Sequence, residues 1–476
     1  MNKRILTFLL TVAMLLSLLA VLPVAADGEE DVVLISSDEE MQAFAEAVNG
    51  GNDFEGKTVK LTADVALNTT IGSTKTKPFS GNFDGQGHTV TINQTLNDPD
   101  GVGGLFSMVR VLDGSELTIQ NVHVTGTIVC NNTKPDTGYV GALVSTVDAG
   151  KDSGGTLNVI NCWSSVRFNC KQNRWYAIGG FIGFIRHEDG LKALTVNMDS
   201  CVWDGIINSG PALESSGGLI GYTGMNKSGR PLTINVSNTV VAGQIWLNTS
   251  WSDDTGLILG YMKGNKDTEE VTVTLDNIIV TGKINSSVDI DGGKWVGLLA
   301  TSGVTTVTLN KVYYLSFDIP GKGTVAVNTG SGTANQTDVK AIQDAAEFLA
   351  LTGDDFTDAS AWYFYNDGEH TPIPKSYGLA FGIIEPDPEE NPGEDPGEDP
   401  GENPGENPGE QPGEATGTTV TTAEPETQAP VTTVGAAEET KTEKKGCGAT
   451  VGAAGAILLA AAFAGAAFAR KKKEND

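Results

Sequence analysis

One short, glycine-led apolar segment occurs six times along the chain. Its copies read "GVGGLFSMV", "GYVGALVSTV", "AIGGFIGFI", "SSGGLIGYTG", "DTGLILGYM" and "KWVGLLATS". The aligned glycines are Gly104, Gly141, Gly180, Gly218, Gly256 and Gly297, at intervals of 37 to 41 residues. A period in this range is typical of a repeat architecture, in which each unit buries its apolar face against its neighbours.

A second recurring piece follows each glycine segment. It is rich in Val, Ile, Leu and Thr, as strands are, and its alignment places Asn121, Asn161, Ser200, Asn238, Asn277 and Asn310 in one column. We therefore predict an all-β, right-handed parallel β-helix with three strands per coil and a repeat of about 38–41 residues. Identical side chains then lie about 4.8 Å apart, and the Asn column forms a left-handed corner with an amide ladder. A tandem of sandwich domains is the alternative, but it needs about 100 residues per unit.

The two ends of the chain read as targeting segments. Residues 1–26 have Lys3 and Arg4, an apolar run and small residues, which is the layout of a signal peptide; an N-terminal anchor is the alternative. Residues 447–469 are expected to form one transmembrane helix, and the basic residues 470–476 a cytoplasmic tail. A processed sorting tail is the alternative there. This arrangement predicts a secreted protein anchored in the cell membrane, with the bulk of the chain extracellular.

The region between these ends divides into four parts. Residues 27–56 are expected to form an N-terminal cap whose helix begins at Ser37 and buries Met41, Phe44 and Val48. Residues 57–334 are assigned to the β-helix, and 335–383 to a C-terminal cap with a helix and an aromatic strand. Residues 384–446, rich in Pro, Gly, Glu and Thr, are predicted to be a disordered stalk.

The charge argues against nucleic acid as a partner. The formal net charge is −29, and residues 385–443 alone hold 17 acidic residues against one lysine. Binding to nucleic acid requires a basic surface.

The opening of the predicted β-helix resembles a known family. "EMQAFAEAVNGGNDFEGKTVKLTADVAL", "PFSGNFDGQGHTVTI", "GGLF" and "GGLIGY" are similar to bacterial surface proteins with GLUG-type repeats, and the tail resembles a Gram-positive anchor. The resemblance implies a pectin-lyase-like fold and a cell-surface location. It implies no catalytic motif that could be transferred to this chain.

No catalytic cluster, metal site or cofactor site is predicted. Enzymes on this fold need carboxylates or a basic residue grouped on one outer wall, and no two carboxylates fall on neighbouring coils there. Asp84 and His88 in "FDGQGH" are interpreted as part of a turn. Cys130 and Cys170 stack on adjacent coils, as do Cys162 and Cys201, and we expect mostly free, buried thiols.

Loop aromatics are the candidate ligand-binding residues. They are Trp175, Tyr176, Trp246 and Trp251, and rings packed beneath long loops are the alternative interpretation. The sequence favours a non-enzymatic adhesin that binds an extracellular glycan or a host or neighbouring cell surface. A polysaccharide lyase or glycoside hydrolase, and a structural envelope spacer, are the alternatives.

Overall fold

The computed structural model describes residues 31–72, 76–97, 102–131, 138–148, 154–170, 177–187, 192–208, 215–225, 231–248, 254–263, 271–302, 305–330, 333–356 and 359–385. Over these ranges the chain is an all-β parallel solenoid with few helices. Strands of successive coils pair in parallel and build three walls. The predicted signal peptide, the predicted stalk beyond Glu385 and the predicted transmembrane segment lie outside the described ranges. Within those ranges, no helix has both the length and the apolarity that a membrane crossing requires.

The first wall continues into the second around a sharp corner. Its strands are Val32–Ile35, Thr58–Leu61, Asn82–Asp84, Ser115–Gln120, Gly155–Ile160, Leu194–Asp199 and the first parts of Leu232–Val241, Val271–Val280, Thr305–Leu315 and Thr333–Ile342. The second wall holds Val65–Leu67, Thr89–Leu96, His123–Cys130, Trp163–Ser164, Arg167–Asn169, Val202–Trp203, Ile206–Asn208, Gln244–Leu247, Lys283–Ser286 and the last parts of the four long strands.

The third wall contains the glycine-led segments. Its strands are Phe106–Arg110, Tyr139–Gly141, Val144–Asp148, Ala177–Gly179, Ile182–His187, Ser215–Gly217, Ile220–Met225, Thr255–Lys263, Val296–Ser302 and Asn328–Gly330. The glycine column differs slightly from the prediction. Gly141 pairs with Gly179, and Gly217 with Gly256, so Gly180 and Gly218 lie one residue beyond the column. Both instead lie against the fully buried Trp203 side chain, where an added Cβ would clash.

The corner between the first two walls has the predicted left-handed conformation. Five members of the aligned column have φ between 48° and 57°, namely Asn121, Asn161, Ser200, Asn238 and Asn277. The sixth position was predicted one residue too early. Lys311, with φ 52°, occupies the corner, while Asn310 pairs with Asp276 on the preceding strand.

The amides at this corner form a ladder that is interrupted once. Asn161 Nδ2 donates to Asn121 Oδ1 at 3.1 Å, and Asn121 Nδ2 donates to Asp84 Oδ1 at 3.0 Å. Asn277 Nδ2 donates to Asn238 Oδ1 at 3.3 Å. Ser200 separates the two segments, and Asn238 Nδ2 donates instead to Asp199 Oδ1 at 2.9 Å. These bonds tie neighbouring coils together along the solenoid axis.

The helix near the N-terminus begins at the predicted residue. It spans Asp38–Gly50, and Ser37 Oγ accepts a hydrogen bond from the Glu40 N–H at 3.3 Å. Met41, Phe44 and Val48 are fully buried. The Phe44 ring lies 5.0 Å from Phe54 and 5.7 Å from Phe79, so the helix packs onto the interior of the early coils.

The solenoid pairing extends past both predicted boundaries. Val32–Ile35 pairs with Thr58–Leu61, and Thr333–Ile342 pairs with Thr306–Leu315. The predicted N-terminal and C-terminal caps therefore each contain a solenoid strand. A hairpin of Asp318–Ile319 with Gly323–Thr324 follows the last long strand but one.

Residues after the last coil return along the second wall. We call residues 346–356 and 359–385 the C-terminal strap. Its elements are the helices Ala346–Leu349 and Lys375–Ala380, the 3₁₀ turns Gly353–Asp355 and Ala359–Ala361, and the hairpin of Trp362–Tyr363 with Ile373–Pro374. Tyr313, on a late coil, donates its hydroxyl hydrogen to the Asp355 carbonyl of the strap at 2.5 Å. Tyr377 and Phe381 each lie 6.1 Å from the Trp163 ring, and Gly87 faces the Ala380 carbonyl. The strap thus runs from the late coils back to the early ones.

An apolar cluster joins the strap to the wall. Its buried members are Val202, Val240, Ile279, Tyr313, Ile342, Phe348, Leu351, Phe356, Trp362 and Tyr377. The wall residues in this set come from successive coils at outward positions. The strap therefore covers an outward-facing apolar strip of the second wall.

The cysteines differ from the expectation of free thiols. Cys130 and Cys170 form a disulfide with their Cα atoms 4.6 Å apart, which is within the range that a disulfide spans. Cys162 and Cys201 are free and fully buried. Burial and the neighbouring Cys162 thiol raise the pKa of Cys201.

Candidate functional site

Of the four predicted binding aromatics, one lies in the described residues. The prediction that Trp246 lies on a loop is wrong: it is 39% exposed on the strand Gln244–Leu247 of the second wall. Its strand neighbours Ile245 and Leu247 are buried, so alternation directs the indole outward. Trp175, Tyr176 and Trp251 lie outside the described residues, so their predicted role in binding stays untested.

Polar side chains surround Trp246 on both neighbouring coils. Asn208 and Asn285 are its partners in register on the preceding and following coils. Asn285 Nδ2 donates to Gln244 Oε1 at 3.2 Å. The indole therefore lies between amides that supply hydrogen-bond donors and acceptors on either side of it.

Two exposed cations extend the same surface. Arg167, Ile206, Gln244 and Lys283 follow one another in register, at outward positions next to the Trp246 column. Three coil steps of about 4.8 Å place Arg167 and Lys283 about 14 Å apart. Neither cation has a carboxylate partner within the described part of the chain. We call Arg167, Asn208, Gln244, Trp246, Lys283 and Asn285 the Trp246 wall.

The first wall carries a more regular surface. Thr156, Thr195, Thr233, Thr272 and Thr306 follow one another in register, and Asn158, Asn197, Asn235, Thr274 and Thr308 form a second column two residues further along. Asn197 Nδ2 donates to Asn158 Oδ1 at 2.9 Å, and Asn235 Nδ2 to Asn197 Oδ1 at 3.0 Å. These ten residues are the threonine–asparagine face, which sequence reasoning missed. Its signal was the "T-x-[NT]" pattern that recurs at the start of the last five of the six second pieces.

The third wall holds an aromatic column of a different kind. Tyr139, Phe184, Tyr222 and Tyr261 follow one another with centroid distances of 4.1, 5.3 and 5.6 Å and interplanar angles of at most 27°. Rings stacked in this way use their faces on each other and turn only their edges outward. A sugar ring needs a ring face, so this column is a packing element of the wall.

A histidine, His123, lies among hydroxyl groups next to Trp163, the wall residue that the strap contacts. Ser165 Oγ is 2.7 Å from His123 Nε2, and Thr89 Oγ1 is 3.3 Å from His123 Nδ1. The Trp163 ring stacks on the imidazole at 3.7 Å. Burial lowers the pKa of His123 to about 4, and the nearby Asp64 carboxylate opposes this shift. The imidazole is therefore neutral at neutral pH and links three consecutive coils.

Hydroxyl–imidazole pairs can act as nucleophile and base, but the surroundings of Ser165 and His123 indicate a structural role. Trp163 covers one face of the imidazole, and the strap residues Tyr377 and Phe381 contact Trp163 edge-on. Trp163 Nε1 donates to Asp204 Oδ1 at 2.9 Å, and burial raises the pKa of Asp204. These contacts hold the strap against the second wall. We therefore assign His123, Ser165 and Trp163 a structural role.

The turn interpretation of "FDGQGH" is confirmed. Gln86 and Gly87 have φ of 51° and 82°, and Asp84 Oδ1 accepts from the Gln86 N–H at 3.0 Å. The Asp84 carboxylate also accepts from Gln120 and Asn121. His88 lies 3.3 Å from Asp64. Across the described ranges, no group of three or more His, Cys, Asp or Glu side chains has the spacing of metal ligands.

Sequence comparisons find no match: no protein-family model matches the chain, and no curated protein does. Among solved structures, the fold is similar to a crystal structure from Bacteroides ovatus described as "a putative immunoglobulin A1 protease". The identity is 14% and the TM-score 0.48, with 72% of this chain and 92% of that chain covered.

Proposed function

We propose that this protein is a non-enzymatic binding protein displayed at the cell surface, whose Trp246 wall holds an extracellular glycan of a host or neighbouring cell. The observation that supports the proposal best is the 39% exposure of Trp246 between Asn208 and Asn285. A pyranose ring has apolar C–H faces and a rim of hydroxyls. An indole flanked by amides complements both parts, and such amphipathic rings are the usual anchors of binding sites.

The cations of the wall add a second contribution. Arg167 and Lys283 are exposed in a chain of net charge −29. They offset the repulsion that an acidic surface would exert on an anionic glycan. A glycan along the solenoid axis would contact both cations and the indole between them.

The surface location is also part of the proposal. We assign residues 1–26 to secretion, 384–446 to a stalk and 447–469 to a membrane anchor, with the basic tail 470–476 inside the cell. The apolar run with "RKKK" at its end and the Pro/Gly/Glu repeat support this assignment. Surface proteolysis of intact cells should release the solenoid and leave the tail with the membrane fraction.

We further propose that the solenoid winds right-handedly, that it belongs with the GLUG-type repeat proteins of Gram-positive bacteria, and that the helix Asp38–Gly50 caps its first coil. The buried Met41, Phe44 and Val48 support the cap. Unprotected ends of a solenoid expose strand edges that pair with other chains.

A glycan array probed with the full-length protein in mild detergent tests the binding proposal. Trp246→Ala should weaken binding to the recognised glycan at least tenfold. Tyr363→Ala is the matched control, because Tyr363 is similarly exposed, at 37%, but lies on the strap. Equal binding by wild type and Trp246→Ala would contradict the proposal. New reducing ends in the bound glycan would favour the lyase or hydrolase alternative, and a silent array would favour the envelope spacer.

A further inference from the structure

The threonine–asparagine face is a flat, two-column lattice on the first wall. Its ten side chains are short, half-buried and repeated without interruption over five consecutive coils. Coils about 4.8 Å apart set the spacing along the axis, and two residues of a strand, about 6.7 Å, set the spacing across it. Beneath the lattice, buried residues such as Val196, Ile234 and Val273 hold the strands in place.

The two columns differ in what they leave available for a partner. The Asn158, Asn197 and Asn235 amides bond to one another along the axis. The threonine column is different: within the described residues, the side-chain hydroxyls of Thr156, Thr195, Thr233 and Thr272 have no hydrogen-bond partner. A row of hydroxyls with a fixed spacing is therefore available to a ligand.

The face is also neutral in a strongly acidic protein. None of its ten members carries a charge, while the chain has a net charge of −29. The next outward column of the same wall holds Asp199 and Asp276, which would repel an anionic partner. The ten members themselves carry no charge and fit a neutral partner. The flat shape adds a second restriction: a flat, rigid face buries substantial area only against another flat surface.

We propose that the threonine–asparagine face binds an ordered, neutral polysaccharide surface, such as the face of a crystalline β-linked glycan, with its chains parallel to the solenoid axis. Neighbouring sugars in such a chain are rotated by half a turn about the chain axis, so equivalent groups recur at every second sugar. One sugar spans a length close to one coil step, so alternate threonine hydroxyls would meet equivalent groups of every second sugar. The inference rests on the proposed function in taking a glycan as the ligand, but it concerns a different wall and a different physical form of the glycan.

Sedimentation of the full-length protein with crystalline cellulose and crystalline chitin tests this, with the amorphous form of each polymer for comparison. Wild type should sediment with at least one crystalline polymer and bind its amorphous form at least tenfold less. Thr195→Lys with Thr233→Lys should abolish sedimentation. Thr195→Val with Thr233→Val keeps the shape and removes two hydroxyls, and it should weaken binding about tenfold. Circular dichroism and melting curves check that both variants are folded.

Trp246→Ala separates this inference from the proposed function. It should sediment like wild type, because Trp246 lies on another wall. Three results would overturn the inference: loss of sedimentation in Trp246→Ala alone, equal binding to crystalline and amorphous polymer, or no sedimentation of wild type. The proposed function would still be supported if glycan-array binding depended on Trp246. Ice shaping by wild type without polysaccharide binding would also overturn the inference and assign the lattice to ice.

Discussion

Asn161 and Ser200 occupy the same corner on neighbouring coils, and the amide ladder stops between them. Asn161 Oδ1 is buried without a hydrogen-bond partner, while Ser200 Oγ donates to Asp199 Oδ2 at 2.9 Å. Among the described corner residues, Asn161 Oδ1 and Asn277 Oδ1 are both buried acceptors without a partner, and the one at Asn161 lies where Ser200 replaces an amide. A buried acceptor without a partner costs about 1–3 kcal/mol.

Ser200→Asn should stabilise the protein. The new amide can donate to Asn161 Oδ1, and Asn tolerates the left-handed φ of 55° better than Ser does. We expect the free energy of unfolding to rise by about 1 kcal/mol, measured by urea denaturation. Ser200→Ala is the control and should not stabilise. A lower melting temperature for Ser200→Asn would show that the corner cannot hold an amide there.

The Cys130–Cys170 disulfide should contribute measurably to stability. It joins neighbouring coils across a sequence separation of 40 residues, so its loss frees a long loop in the unfolded chain. Cys130→Ser with Cys170→Ser should lower the free energy of unfolding by about 2–4 kcal/mol.

Thiol labelling provides the second check on the cysteines. Denatured, unreduced protein should label at Cys162 and Cys201 and not at Cys130 or Cys170. In the native protein Cys201 should react slowly, because burial raises its pKa and lowers its thiolate fraction. Labelling of Cys130 and Cys170 in the unreduced, denatured state would contradict the disulfide.

His123 should make the stability depend on pH. Its pKa in the folded protein is about 4, below the usual 6.5, so the unfolded chain binds a proton between these values while the folded chain does not. Stability is therefore fully present above pH 6.5 and falls as the pH falls towards 4. The loss should be on the order of 1 kcal/mol, because partial exposure weakens the effect.

The measurement compares melting temperatures of wild type and His123→Gln from pH 7.5 to 4. The difference between the two proteins isolates His123 from Asp64, Asp204 and other carboxyl groups. Parallel curves for the two proteins would show that His123 does not titrate differently on folding.

The strap should be held mainly by its buried aromatics. Phe348 is fully buried in the cluster between strap and wall. Phe348→Ala should cost about 3 kcal/mol and speed proteolysis within residues 346–385. Tyr363→Ala, on the exposed side of the strap, should change the free energy of unfolding by less than about 1 kcal/mol. Equal protease resistance in both variants would contradict this account.

The register between coils was predictable from the sequence, because equivalent residues of successive repeats lie next to each other in neighbouring coils. The corner residues Asn121, Asn161, Ser200, Asn238 and Asn277 were correctly aligned. The error at Asn310 arose because Lys311 replaces Asn at the corner and pairs with Asp338 at 3.5 Å. Because Lys311 has no side-chain amide, the alignment chose the neighbouring Asn310 as the corner residue.

The strap and the disulfide were harder to predict. The strap's contacts join residues far apart in sequence, such as Tyr377 and Trp163, and no repeat marks them. For Cys130 and Cys170, the choice between thiol and disulfide depends on backbone details that spacing does not give. Of the candidate binding residues, Trp246 was proposed from the sequence, while its neighbours Asn208 and Asn285 became candidates only through the register of three coils.

The return path of the strap has a mechanical consequence. Its last part, with Ala380 beside Gly87, lies against early coils, whereas Asp355 is held at the late coils by Tyr313. A pull on the chain beyond Glu385 would therefore load the strap at its far end first and detach its aromatic contacts one after another, as in unzipping. The coils themselves would carry tension only after the strap had detached. The strap would therefore unfold at a lower force than the solenoid and protect it from the pull.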